Sequence, residues 1–104
     1  MKRLFQHISF DQMKDMNLDS FSMIDIRRSE AYSKGHIKGF VNITNSSIKG
    51  FIDKTSKETS IIVCCYHGNS SQGLSQSLCE IGFKNVYSLD GGYEGWKIKY
   101  SQDE

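Results

Sequence analysis

The 104-residue sequence predicts an α/β fold, with a central, mainly parallel sheet of about five strands and helices on both faces. Three observations carry that expectation. Short apolar runs alternate with helical patterns along the chain, as repeated strand–helix units require. Ile61-Ile62-Val63-Cys64 is apolar at every position, and Phe21 to Ile26 is apolar on both sides of its alternation near the end, as strands buried on both faces would be. The run ending at Cys64 then passes through a polar loop, Cys65-Tyr66-His67-Gly68-Asn69-Ser70-Ser71, into a helical pattern built on Leu74, Leu78 and Ile81.

Taken in order, Leu4 to Ile8 reads as a short strand at a sheet edge. Ser9 or Asp11 caps a helix to about Asn17, with Phe10, Met13 and Met16 at helical spacing. Phe21 to Ile26 is the second strand. Ser29 opens a short helix, Glu30 to Ser33, and Gly35 is expected to stop it in a left-handed conformation. Gly39 to Ile43 is the third strand. Ile48, Phe51 and Ile52 mark a helix that the polar stretch Lys54 to Ser60 ends. Ile61 to Cys64 is the fourth and clearest strand. The next helix runs from about Ser71 to Ile81, with Gly82 as its C′ residue, and Asn69 with Gln72 three positions on resembles a capping box. Asn85 to Leu89 is the fifth strand. Asp90-Gly91-Gly92 is a sharp turn, and Tyr93, Trp96 and Tyr100 share one face of a final helix, which reads as core packing.

Length and charge narrow the function classes. Residues 1–104 are expected to form one domain around one core. Thirteen basic against twelve acidic residues, with no basic block, give no footprint for nucleic acid or a membrane surface. No apolar run approaches the ~20 residues of a membrane span, and Leu4 to Met16 is too polar for a signal-peptide core. Three cysteines, an odd number with no C-x-x-C, do not make a secreted disulfide framework, so a cytoplasmic protein is expected. Three isolated histidines, His7, His36 and His67, have no metal-ligand spacing, and neither a metal nor a cofactor is expected.

Chemistry concentrates at Cys65. Ligands of parallel sheets bind beyond the carboxyl ends of the strands. A cysteine there, at a helix N-terminus, has its thiolate favoured against the free thiol pKa of about 8.5. Cys64 should point to the opposite face and belong to the core, and Cys79 lies on or beside the apolar face of its helix. Asp25 and Arg27 flank Ile26 at a strand end and read first as an ion pair, with Arg27 also able to lend positive potential to the loop. His67 stands open between a substrate-facing group and an exposed loop residue, with Tyr66 beside it shaping the entrance. His36 reads as a structural residue whose ring bonds backbone.

Four stretches in order, Asp25-Ile26-Arg27, Gly35-His36-Ile37-Lys38-Gly39-Phe40-Val41-Asn42-Ile43, the loop from Cys65, and Asp90-Gly91-Gly92-Tyr93-Glu94-Gly95-Trp96, resemble the rhodanese superfamily over nearly the whole chain. Cys65 to Gly73 is similar to the loop of single-domain thiosulfate sulfurtransferases of the GlpE type. Lys38 and Phe40 replace the commoner Pro and Ala of their motif, at positions that bear on turn geometry and packing.

The resemblance implies a rhodanese-like three-layer sandwich and a double-displacement mechanism. Cys65 takes the sulfane sulfur of thiosulfate, releases sulfite and holds a persulfide, and a thiophilic acceptor (cyanide, or a dithiol such as reduced thioredoxin) removes it. Tyr66, His67, Gly68, Asn69 and Ser70 are the expected persulfide-stabilising loop, with Gly68 supplying the backbone freedom. A persulfide relay protein, loaded by a cysteine desulfurase or another sulfur carrier, is the alternative. A non-catalytic rhodanese-like binding module usually lacks the cysteine that this chain keeps. Cysteine phosphatases and arsenate reductases place an arginine six positions after the cysteine. Here Ser71 occupies that position, so bidentate oxyanion recognition is lost.

Overall fold

A computed structural model describes residues 4–100. Among them, β1 (Gln6–Ile8), β2 (Ser22–Asp25), β3 (Val41–Asn42), β4 (Ser60–Cys64) and β5 (Asn85–Leu89) form a five-stranded sheet in the order β1-β5-β4-β2-β3. Every pairing in it is parallel. Helices α1 (Phe10–Lys14), α2 (Ser29–Lys34), α3 (Ile48–Lys54), α4 (Ser70–Glu80) and α5 (Gly92–Tyr100) supply the crossovers and the closing helix. The expected α/β sandwich and its edge strand β1 are therefore present. No helix among the described residues is long and apolar enough to cross a membrane.

β4 shows why the sandwich has two apolar layers. Its side chains alternate, and both sets are buried. Ile61 and Val63 join Leu78, Cys79 and Phe83 on one face, where Phe51 and Ile52 of α3 also pack. Ile62 and Cys64 join Met13, Ile37 and Phe40 on the other, against Tyr93 and Trp96 of α5. Removing such a side chain from water stabilises the fold by about 1.5–3 kcal/mol.

Local backbone chemistry sets the ends of the helices. At α1 the Gln12 N–H donates to Ser9 Oγ (3.1 Å) and the Ser9 N–H donates to Gln12 Oε1 (2.8 Å), a complete capping box. The helix stops at Lys14, short of Asn17, because the polar exit bonds to itself, with the Asp19 N–H on Asn17 Oδ1 (3.0 Å). α4 ends as expected. Gly82 has φ +116°, its N–H donates to the Cys79 carbonyl, and the Phe83 N–H donates to the Leu78 carbonyl, both at 3.1 Å. That is the Schellman arrangement.

Two expectations at helix ends are corrected. Asn69 has helical dihedrals and makes no capping bond, while Gln72 Nε2 instead donates to the Gly68 carbonyl (2.8 Å). Gly35 follows α2 at φ 168°, which is extended backbone, not left-handed. Glycine is required there for space, since a Cβ would stand 2.5 Å from the Tyr93 hydroxyl.

The register positions the site. Asp25 pairs with Cys64 on one side and Asn42 on the other, so β2, β3 and β4 end level. From that row the chain leaves β2 toward β3 and leaves β4 toward β5, in opposite directions across the sheet. The crevice between the two exits is the topological switch point where parallel sheets bind ligands.

Candidate active site

Cys65 is the first residue beyond β4 and is 3% exposed. Its Sγ accepts two backbone hydrogen bonds, from the Gly68 N–H and the Ser71 N–H, each at 3.2 Å. Ser71 sits in the first turn of α4, so the positive end of the helix dipole adds to its amide. Gly68 turns the loop at φ +90°, and a Cβ there would lie 2.8 Å from the Gly91 nitrogen.

The loop keeps this shape because its carbonyls are drawn outward. The first amides of α5 do much of this, with the Tyr93 N–H donating to the Cys65 carbonyl (2.8 Å) and the Glu94 N–H to the Tyr66 carbonyl (2.9 Å). Gln72 holds the Gly68 carbonyl. The amides of Tyr66, His67, Asn69 and Ser70 carry no hydrogen bond among the described residues. Successive unpaired amides are the kind of donor from which anion-binding nests are built. Gly92, at φ +59°, lets α5 pack flush beneath the loop. Any Cβ there would collide with the Cys65 carbonyl oxygen and stand 2.8 Å from the His67 and Gly68 nitrogens. Behind the sulfur, the buried hydroxyls of Ser71 and Ser88 meet at 2.7 Å.

Charge beside the loop is largely paired. Arg27 and Asp25 form an ion pair with side chains 2% and 0% exposed. Arg27 Nη2 bonds Asp25 Oδ2 (2.8 Å) and the Gly35 carbonyl (2.8 Å), while Nε bonds Asp25 Oδ1 (3.0 Å). Burial opposes the Arg27 charge, but the hydrogen bonds and charge of Asp25 outweigh it and hold its pKa above the ordinary value. The guanidinium also lies 3.9 Å from the Tyr93 ring centre and 5.7 Å from that of Tyr66. The ion-pair reading of Asp25 and Arg27 therefore holds. Asn42 Nδ2 ties the same strand ends together through the carbonyls of Asp25 (2.9 Å) and Arg27 (3.0 Å).

The other cysteines and histidines fall away from the sulfur. Cys64 is fully buried in the core, where burial first and Asp25 second push its thiol pKa far up. Cys79 is buried in the opposite apolar layer. His36 bonds the Tyr32 carbonyl through Nδ1 (3.0 Å) and stacks on the Tyr32 ring, matching its expected structural role. His7 pairs with Asp90 on the surface (2.9 Å).

Of the expected loop residues, the structure brings only Gly68 to the Cys65 sulfur itself. The second donor, Ser71, lies one residue beyond the expected set. Tyr66 turns toward Arg27 and Arg28, His67 is exposed, and Asn69 and Ser70 line the start of α4. The sequence reading missed Gly92, Tyr93 and Glu94 as the loop's anchors. The signal was the paired glycine turn immediately before a helix, a place where free amides gather.

A family profile described as the rhodanese-like domain matches residues 9–99. The thiosulfate sulfurtransferase GlpE of Tolumonas auensis is 41% identical over 97 residues, covering 92% of each chain. That of Shewanella oneidensis is 42% identical over 93 residues, 88% of this chain and 92% of the relative. Among solved structures, a rhodanese-related protein from Thermoplasma volcanium superimposes with a TM-score of 0.77 at 22% identity, over 92% of this chain and 94% of the other, a likeness of fold.

Proposed function

Because the chain belongs to the rhodanese-like domain family, we propose that it is a thiosulfate sulfurtransferase whose nucleophile is Cys65. The observation that carries this reading is the pair of amides, Gly68 and Ser71, aimed at one cysteine sulfur at the carboxyl end of the central strand. Donors fixed in advance around a sulfur stabilise it as an anion without reorganisation.

The Cys65 thiolate attacks the outer sulfur of thiosulfate. A new S–S bond forms to Sγ, the old S–S bond breaks, and its electron pair leaves with sulfite. The terminal sulfur of the Cys65 persulfide then lies within the nest, where the unpaired amides of Tyr66, His67, Asn69 and Ser70 receive it. Cyanide or a dithiol such as reduced thioredoxin attacks that outer sulfur and restores the Cys65 thiolate. The kinetics are ping-pong. A cytoplasmic setting suits the reaction, since Cys64, Cys65 and Cys79 are all free thiols.

Position 71 argues against oxyanion hydrolysis. The Ser71 side chain turns away from Cys65 to Ser88, so no side-chain cation from that position faces the nest.

Intact-mass spectrometry after thiosulfate exposure tests the reading. One added sulfur is expected on the native chain, on Cys64→Ser and on Cys79→Ser, and none on Cys65→Ser. Hydrolysis of an aryl phosphate without sulfur uptake would sink it. Loading by a cysteine desulfurase but not by thiosulfate would reassign the donor and make the chain a persulfide relay.

A further inference from the structure

Three peptide planes of the Cys65 loop have their carbonyls clasped by donors from neighbouring helices. The Tyr93 N–H holds the Cys65 carbonyl (2.8 Å), the Glu94 N–H holds that of Tyr66 (2.9 Å), and Gln72 Nε2 holds that of Gly68 (2.8 Å). No peptide bond among the described residues is cis, and in a planar trans peptide the N–H points opposite to the C=O. Each clasp therefore aims the next amide, that of Tyr66, His67 or Asn69, away from the clasping group. For Asn69 the direction can be followed to the sulfur. Gly68 and Asn69 have φ of opposite sign, +90° and −94°, an alternation that turns successive N–H groups to one side. The Gly68 N–H is on the Cys65 sulfur.

The first two clasps are backbone amides of α5. The third is a side chain, and it holds the plane freest to turn over. Reversing the Gly68–Asn69 peptide changes only ψ of Gly68 and φ of Asn69. Glycine accepts either sign of φ and is the least hindered neighbour, and asparagine tolerates a positive φ better than most residues. Reversed, the plane would set a carbonyl oxygen where the amide now stands, facing an anion. Gln72 stands three residues after Asn69, where the reciprocal bond of a capping box would consume the Asn69 N–H. It bonds the carbonyl of that same peptide instead and leaves the N–H free. We infer that Gln72 is a positioning residue for sulfur transfer: its side-chain amide locks the Gly68–Asn69 plane with the N–H toward the outer sulfur of the Cys65 persulfide.

The inference rests on the sulfurtransferase reading above. It is read from the reversal of loading by sulfite. Sulfite attacks the outer sulfur of the persulfide anion and a new S–S bond forms, giving thiosulfate. The bond from that sulfur to Sγ breaks, and its electron pair returns to Cys65 as thiolate. The total charge is the same on each side, and no further reactant is needed. The sulfite-to-thiosulfate ratio at which half of the chains carry sulfur, measured by intact-mass spectrometry, reports how well the outer sulfur is held. The Cys65 thiol pKa, measured from the pH dependence of alkylation by iodoacetamide, reports the donors on Sγ, which the clasp leaves in place.

Gln72→Met keeps the length of the side chain and removes the donor. The half-loading ratio should fall by about tenfold, the effect of one hydrogen bond to a charged group, while the thiol pKa stays where it is. Gln72→Glu puts an acceptor-only group in the first turn of α4, where the helix dipole favours it. Its melting temperature should hold or rise, and its half-loading ratio should fall at least as far. Amide exchange of Asn69, which needs no sulfur donor, should slow as the carboxylate captures the N–H of the reversed plane. An unmoved half-loading ratio in Gln72→Met would overturn the inference. So would a fall matched by a change in the thiol pKa, which would make Gln72 a general support of the loop. A native chain that takes up no sulfur would remove the sulfurtransferase reading by itself. The Asn69 contrast then judges the clasp alone, and equal exchange in the native chain and Gln72→Glu would remove it.

Discussion

The backbone N–H of Ser71 stands 3.2 Å from the sulfur of Cys65, while its hydroxyl is bonded to Ser88 on the far side. Amide and hydroxyl of one residue thus serve different ends, and substitutions can separate them. Ser71→Ala keeps the N–H and loses a buried hydroxyl pair. It should cost about 1 kcal/mol of stability and retain most of the turnover. Ser71→Pro deletes the N–H in a first turn that tolerates proline. Its kcat/KM for thiosulfate should fall by about 10²-fold or more, the usual effect of removing one donor from a developing anion. Equal losses in the two variants would show that the amide is not the active part.

Asp25 and Arg27 are a buried pair, and breaking it should be costly. Asp25→Asn leaves the guanidinium without its counter-charge among groups that exclude water. A loss of about 3–5 kcal/mol is expected, read from the urea midpoint at unchanged m-value. A loss under about 1 kcal/mol, the surface-pair range, would mean that Arg27 escapes to solvent.

Two glycines of α5 should respond in opposite ways to alanine. Gly92→Ala pushes a methyl into the Cys65 carbonyl at a positive φ. Strain of about 1–3 kcal/mol and displacement of the loop should lower kcat by about 10²-fold. Gly95→Ala meets open space inside a helix. It should stabilise by about 0.5–1 kcal/mol. Thermal melts and turnover on both variants check the contrast.

Thiol reactivity should single out one cysteine. Cys64 is held as a thiol by burial and by Asp25, and Cys79 is packed in the core. Iodoacetamide at neutral pH should label Cys65 alone, and thiosulfate loading should block that label. Peptide mapping that finds Cys64 modified in the folded protein would contradict this placement.

Acid should loosen the end of α5 first. Asp11 is held by the Tyr100 hydroxyl and by Lys99, which lower its pKa from 3.8 to about 2. A carboxylate with a depressed folded pKa contributes stability above its ordinary pKa and loses it as pH falls through the folded value. That contribution is complete above about pH 4 and vanishes toward pH 2. Amide exchange near Tyr100 should rise across that window, and Asp11→Asn should abolish the pH dependence. A native profile that stays flat there would remove Asp11 as the clasp.

Much of the fold was legible because β4 and β5 carry their burial in sequence as unbroken or alternating apolar residues. The Cys65 loop was legible because it falls between such a strand and an apolar helical stripe. Less legible was anything that depends on chain brought from elsewhere. The bonds from Tyr93 and Glu94 to the loop carbonyls leave no periodic trace. The capping box was expected at Asn69 and stands at Ser9. Asn69 takes helical dihedrals, and the Ser71 amide that a cap would serve already bonds the Cys65 sulfur. Gly35 shows the same limit: the sequence reading expected a positive φ, but the residue is required by a tyrosine nearly sixty positions away.

The dependence of the loop on α5 also orders events during synthesis. Residues 65–71 leave the ribosome before residues 92–94. Until the later segment follows, the carbonyls of Cys65 and Tyr66 lack their donors and the space beneath the loop is unfilled. A nascent chain stalled before Gly92 would carry the cysteine and the central strands without the cradle that makes the sulfur useful. The reactive centre is therefore complete only once residues 92–94 stand against the loop.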